Sequence, residues 1–195
     1  MSEDWRTAIE QAFECEALIL DEIQVLILRF NQRRAYALAD HLNSEFRGLA
    51  FASAACVSLH ETILARVDRR QPSDQERRLS YPFYTDALMA AYNIRKFLGC
   101  LEMKAVVGAK TSDRMIEAFD QHLPATVAAA DAIRHNHDRA FGRVRDVVMS
   151  ERGQLVAVWG AAIKLTDHQL NDFWYEFQPT SVRAMINSLT TTMAD

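Results

Sequence analysis

Residues 16–42 read EALILDEIQVLILRFNQRRAYALADHL. Wound at about 100° per residue, they place Ile19, Ile23, Leu26, Ile27, Phe30, Ala37 and Leu38 along one stripe of a helix. Leu18, Val25 and Leu28 widen that stripe, so the segment predicts a central or interface helix with apolar contact on two sides. Arg34 and His41 project from the same stripe, two turns apart. Outward from this stretch the same period recurs, and turn residues are scarce: 195 residues contain only six glycines and four prolines. Helices need few of either, so the expected fold is all-α, one domain over 1–195, with about five to seven helices in a bundle.

Toward the C-terminus, Asn43 and Ser44 are the expected break and N-cap before a second helix, whose stripe is Leu49, Ala52, Cys56, Ile63 and Val67. Residues 66–78 are polar, carry Pro72, and predict an exposed loop. After Pro82, the stripe Ala87, Ala91, Ile94, Leu98, Leu101 and Ala105 predicts a helix ending near Gly108. Thr111 or Ser112 then caps a short helix with Met115, Ile116, Phe119 and Leu123, stopped or kinked by Pro124. Over 154–165 the period is ambiguous, and a small β-hairpin competes with continued helix. Thr166 or Asp167 caps an amphipath carrying Phe173, Trp174 and Phe177, and beyond Pro179 a last helix presents Val182, Met185, Ile186 and Leu189.

The formal net charge of −4 gives the whole chain no positive field of the kind that dominates nucleic-acid affinity. Cys15, Cys56 and Cys100 are an odd number in apolar helical contexts, which predicts buried free thiols and a cytoplasmic location. The N-terminus is acidic and amphipathic, unlike a signal peptide, and no apolar run reaches membrane-spanning length. A homodimer is expected, because the first long helix and the C-terminal amphipath offer more apolar surface than one bundle consumes. The aromatic group 173–177 reads as core or dimer seam rather than a base-stacking platform.

Chemistry-bearing residues fall into three groups. Within 131–146, DAIRHNHDRAFGRVRD, His137 lies on the apolar face with Ile133, Phe141 and Val144. The flanks there carry His135, Asp138 and Arg139, candidates for an anionic ligand, although a solvated face of i, i+4 ion pairs is the plainer account. Cys56 and His60 stand one turn apart, and with His137 from another helix could ligate a soft or borderline metal; a packed thiol beside a hydrogen-bonded core histidine is the plainer account, since no fourth ligand is identifiable. Glu-x-x-His pairs, His-Glu-x-x-His, Cys-x-x-Cys, a Walker loop and Gly-x-Gly-x-x-Gly are all absent from the sequence, so no cofactor is expected.

Arg34 with His41 is the metal-free candidate: a guanidinium steadies phosphate charge while an imidazole moves a proton. The spacing Arg34-Ala-Tyr-Ala-Leu-Ala-Asp-His41 resembles the hallmark of the HEPN superfamily of helical nucleic-acid-processing and toxin proteins, an arginine and a histidine on one interior helix with four to six residues between them. Ala35 stands where that family commonly has a polar residue, and the pair lies early in the chain rather than late. The resemblance implies metal-independent RNA cleavage in a cleft across a dimer, with Arg34 and His41, or Arg134 and His137 of the later cluster, as the catalytic pair. The reading from the residues themselves is a helical-bundle binding protein whose polar pocket draws on His60, His137, His41 and Arg34, with RNA or a small anionic ligand as partner.

Overall fold

The structure is a computed structural model that describes residues 3–66, 74–127 and 175–194, with side chains described over 6–59, 61–62, 82–127 and 175–194. Among the described residues there are six α-helices and no strand: α1 (Glu3–Gln32), α2 (Tyr36–Arg66), α3 (Asp74–Leu98), α4 (Leu101–Val107), α5 (Ala109–His122) and α6 (Pro179–Ala194). The all-α bundle predicted from hydrophobic period is therefore what forms. The hairpin considered over 154–165 falls outside the described residues.

Cross-helix pairs give the directions. Glu16 meets Arg47 and Phe13 meets Phe51, so α1 and α2 run antiparallel. Phe51 meets Phe83 and Glu45 meets Asn93, so α2 and α3 do too. Glu22 meets Arg183 while Arg33 meets the Met193 carbonyl, so α6 lies parallel to α1.

The first correction lies between α1 and α2. The stretch 16–42 is not one helix. The N–H of Ala35 donates to the Phe30 carbonyl (3.0 Å) and that of Arg34 to the Asn31 carbonyl (2.9 Å), which is the bonding of a Schellman C-cap with Arg34 in its left-handed position, φ 58°. Glycine normally fills that position, so nothing in the residue types signalled it. The three-residue turn resets the helical register. Phe30 is buried as expected, but Ala37 is exposed, and the inward set becomes Ala35, Ala39, Leu42, Phe46 and Leu49. No break occurs at Asn43 or Ser44, where α2 continues uninterrupted. Leu18, Val25 and Leu28 face outward and are exposed rather than packed on a second side.

The helix at the centre is α2. Every residue from Ala52 to Leu59 is buried, so this span has no solvent side. Its composition explains how: Ala52, Ser53, Ala54, Ala55, Cys56 and Ser58 are small enough for neighbouring backbones to approach closely from several directions. Among the described residues, Phe30, Phe46, Phe119 and Phe177 are the largest fully buried side chains, and truncating one to alanine removes packing worth about 3–5 kcal/mol.

A second register shift separates α3 from α4. Gly99 and Cys100 form a turn, and the Cys100 thiol caps α4 by accepting from the Met103 N–H at 3.3 Å. Met103 and Val107 become the buried residues, whereas Leu101 is 82% exposed and Ala105 also faces solvent, contrary to the stripe expected from an unbroken helix. Cys15 and Cys100 are half-buried, so only Cys56 fits the expected buried thiol. Helix α3 begins at Asp74, inside the span expected to be loop, and accommodates Pro82 internally. Gly108, with φ 87°, joins α4 to α5 as the glycine stop expected there. Ser112 is not an N-cap: it is buried one turn into α5, and its hydroxyl donates to the Leu98 carbonyl at 2.5 Å.

Pro124 does end α5, and its effect reaches another element. Residues 124–127 start a new helical turn whose Ala125 and Thr126 N–H groups both donate to the buried Glu176 carboxylate at 2.7 Å. Helix α6 starts at Pro179, where the missing N–H costs nothing. It buries Val182, Met185, Ile186 and Leu189, the stripe read from the sequence, with Met193 extending it.

Candidate functional site

His41 stands on the second turn of α2, facing the C-terminal part of α3. Its ring lies against Phe97 with centroids 3.8 Å apart, tilted by 39°. Nε2 is 3.5 Å from a carboxylate oxygen of Glu45, one turn along the same helix. That contact is not a hydrogen bond, and the nitrogen is shut off from solvent with no hydrogen-bond partner. The same Glu45 oxygen accepts from Asn93 Nδ2 at 3.2 Å. One imidazole, one carboxylate and one carboxamide thus gather on the α2–α3 seam, with the Glu45 side chain 18% exposed and the His41 side chain 39% exposed.

The local cause is the register reset. Continuing the α1 stripe would have turned both Arg34 and His41 inward; restarting at Tyr36 makes Leu42 the core residue and leaves His41 about 100° to its side, at the edge of the seam. Arg34 is exposed in the turn, so the arginine and the histidine belong to separate segments rather than one helix. The neighbouring Arg33 holds helix ends together. Its guanidinium donates to the Met193 carbonyl (3.1 Å) and the Val106 carbonyl (3.4 Å), tying the C-terminal ends of α6 and α4 to the end of α1.

Cys56 is fully buried in α2, and burial pushes its thiol far above the ordinary value, so it stays protonated and is a poor metal ligand or nucleophile. His60 follows one turn later on α2, and its side chain is outside the described set. Arg134, His135, His137, Asp138 and Arg139 also lie outside the described residues. Among the described residues no group of three His, Cys, Asp or Glu side chains could hold a metal ion. No described helix is long and apolar enough to cross a membrane.

Other polar groups are bound to each other in ways that hold helices together. Arg95 makes a two-pronged contact with Asp120 at 2.6 and 2.7 Å, linking α3 to α5. Glu16 accepts from Arg47 at 2.6 Å, and Gln11 accepts from the Ser58 hydroxyl, both across α1 and α2. Glu45, Asn93 and Phe97 were not singled out from the sequence. Glu45 had a readable signal in its i, i+4 spacing from His41; Asn93 and Phe97 had none, since only the antiparallel pairing of α2 with α3 brings them there.

Comparison of the chain with protein-family models, with curated proteins and with solved structures returned no significant match in any of the three.

Proposed function

We propose that the protein is a helical-bundle binding protein whose ligand contacts lie on the α2–α3 seam at His41, Glu45 and Asn93, and that the ligand presents an ammonium or guanidinium group. The observation that carries this reading is the unsatisfied His41 Nε2 held beside the Glu45 carboxylate. A shut-off polar atom without a hydrogen bond costs about 1–3 kcal/mol, and neither Phe97 nor Glu45 returns that as a well-formed bond. A cation entering the seam meets the negative charge of Glu45 and the aromatic surface of Phe97, and its N–H groups supply the donor that the His41 Nε2 lone pair lacks.

The anionic partner expected from the sequence rested on His135, Asp138 and Arg139, and the formal charge at the described cluster is instead a carboxylate. The ribonuclease reading needs an arginine and a histidine presented together, and the exposed Arg34 in the α1–α2 turn gives it no support.

The test is an NMR titration of the isotope-labelled full chain with spermidine and with free arginine at millimolar concentration. Shifts concentrated on His41, Glu45, Asn93 and Phe97, and lost in Glu45→Gln, are the expected result. Shifts absent from those four residues, or undiminished in Glu45→Gln, would overturn the reading.

A further inference from the structure

The outward face of α1 carries Leu18, Val25 and Leu28 at 69%, 50% and 54% exposure. Leu18 and Val25 are seven residues apart and share one line along the helix, and Leu28 follows at the next turn. None of them faces a described helix, although α1 already packs its other side through Ile19, Ile23, Leu26 and Phe30. Leucine and valine on an exposed helical line need an occupant if the line is to be dry.

From this face we infer that α1 docks against α1 of a second copy of the chain, antiparallel about a two-fold axis near Asp21 and Glu22. Charge selects both the occupant and the direction. Glu10 and Glu14 lie in the first half of the exposed face, and Arg29 lies near its end. Among the described residues neither Glu14 nor Arg29 has an ion-pair partner. A parallel pair would set like charges beside like charges. The antiparallel pair sets Leu18 against Val25 of the partner subunit and brings Arg29 to the turn that carries Glu14 of the partner subunit, and the symmetry repeats both contacts.

The geometry also sets the strength. A helix of 30 residues is about 45 Å long and about 10 Å across, a footprint of roughly 450 Å² per copy against the roughly 800 Å² of a standard interface. Asp21 lies within this face, between the Leu18–Val25 line and Leu28, and from each copy it meets its mate near the axis, which opposes association. The dimer is therefore weak and concentration-dependent. Glu22 is already neutralised by Arg183 and opposes it less.

Sedimentation velocity on the full chain, from micromolar to millimolar concentration, reads the outcome directly. Wild type moves from monomer to dimer mass across that range. Leu18→Glu stays monomeric with an unchanged circular dichroism spectrum, because its side chain touches no core. Asp21→Asn associates more tightly. Glu14→Arg weakens association about ten-fold, one ion-pair exchange repeated by symmetry, and adding Arg29→Glu restores it. A wild-type chain that remains monomeric at millimolar concentration overturns the inference, as does a dimer indifferent to Leu18→Glu, which would be built on another surface. Failure of the charge-exchanged double variant to recover overturns the antiparallel register.

Discussion

Replacing Arg34 by glycine and, separately, by alanine gives opposite signs depending on whether the chain breaks at this residue. In the structure Arg34 sits at φ 58°, the left-handed position of the cap that ends α1. A residue with a Cβ is disfavoured there by about 1–2 kcal/mol, whereas glycine is not. The bonds that make the cap, Ala35 N–H to the Phe30 carbonyl and Arg34 N–H to the Asn31 carbonyl, belong to the backbone and survive both substitutions. Glycine also gives the unfolded chain more freedom, about 0.5–1 kcal/mol, which offsets part of the relief. Arg34→Gly is therefore expected to be more stable than Arg34→Ala by roughly 0.5–1 kcal/mol. Were residues 16–42 one continuous helix, glycine at 34 would be the worse residue by about 1 kcal/mol. The two accounts differ by nearly 2 kcal/mol, with a change of sign. Urea unfolding of both variants with a common m-value measures the difference, and for a chain of this size it corresponds to roughly 2–4 °C in Tm per kcal/mol. Alanine as the more stable substitution would refute the break, and with it the separation of Arg34 from His41.

Further expectations follow from single contacts. Glu176→Ala leaves the Ala125 and Thr126 N–H groups without their shared acceptor and lowers stability by about 2 kcal/mol or more in denaturant unfolding. Thr126→Val removes a buried hydroxyl that has no hydrogen-bond partner, so the same measurement should show no loss or a gain. Gly48→Ala adds a methyl group in ordinary contact with the Ala90 Cβ at 4.0 Å, and should raise stability by about 0.5–1 kcal/mol through helix propensity. With a thiol reagent at neutral to mildly alkaline pH, Cys56 should react only after unfolding, while Cys15 and Cys100 are accessible in the native chain. Burial raises the folded Cys56 value, so the unfolded thiol loses its proton first. Its contribution is complete below the ordinary value of 9.0 and is lost as pH rises above it. Cys56→Ala should flatten that alkaline decline.

The sequence made helices legible wherever a stripe ran without interruption. Val182, Met185, Ile186 and Leu189 are inward in α6 as read, and so are Ile19, Ile23, Leu26 and Phe30 in α1. What periodicity could not register was a change of phase. At Arg34 a left-handed cap was made without glycine, and at Gly99 and Cys100 a two-residue turn was flanked by good helix formers. Each reset the stripe by a fraction of a turn, which exposed Ala37, Leu101 and Ala105 and buried Ala35, Met103 and Val107. The candidate site suffered for the same reason. Arg34 and His41 shared a face only on an unbroken helix, whereas Asn93 and Phe97 reach His41 through helix pairing that sequence spacing does not encode.

The central functional claim is that His41 occupies its seam for a ligand and not for the fold. The unfolding free energy of His41→Leu, set beside its spermidine titration, tests this most directly. Removing an imidazole whose Nε2 makes no hydrogen bond, and putting an apolar side chain against Phe97, should leave stability unchanged or raised while the titration response disappears. A loss of about 2 kcal/mol or more, the cost of breaking a satisfied buried polar contact, with the titration response intact would contradict the account.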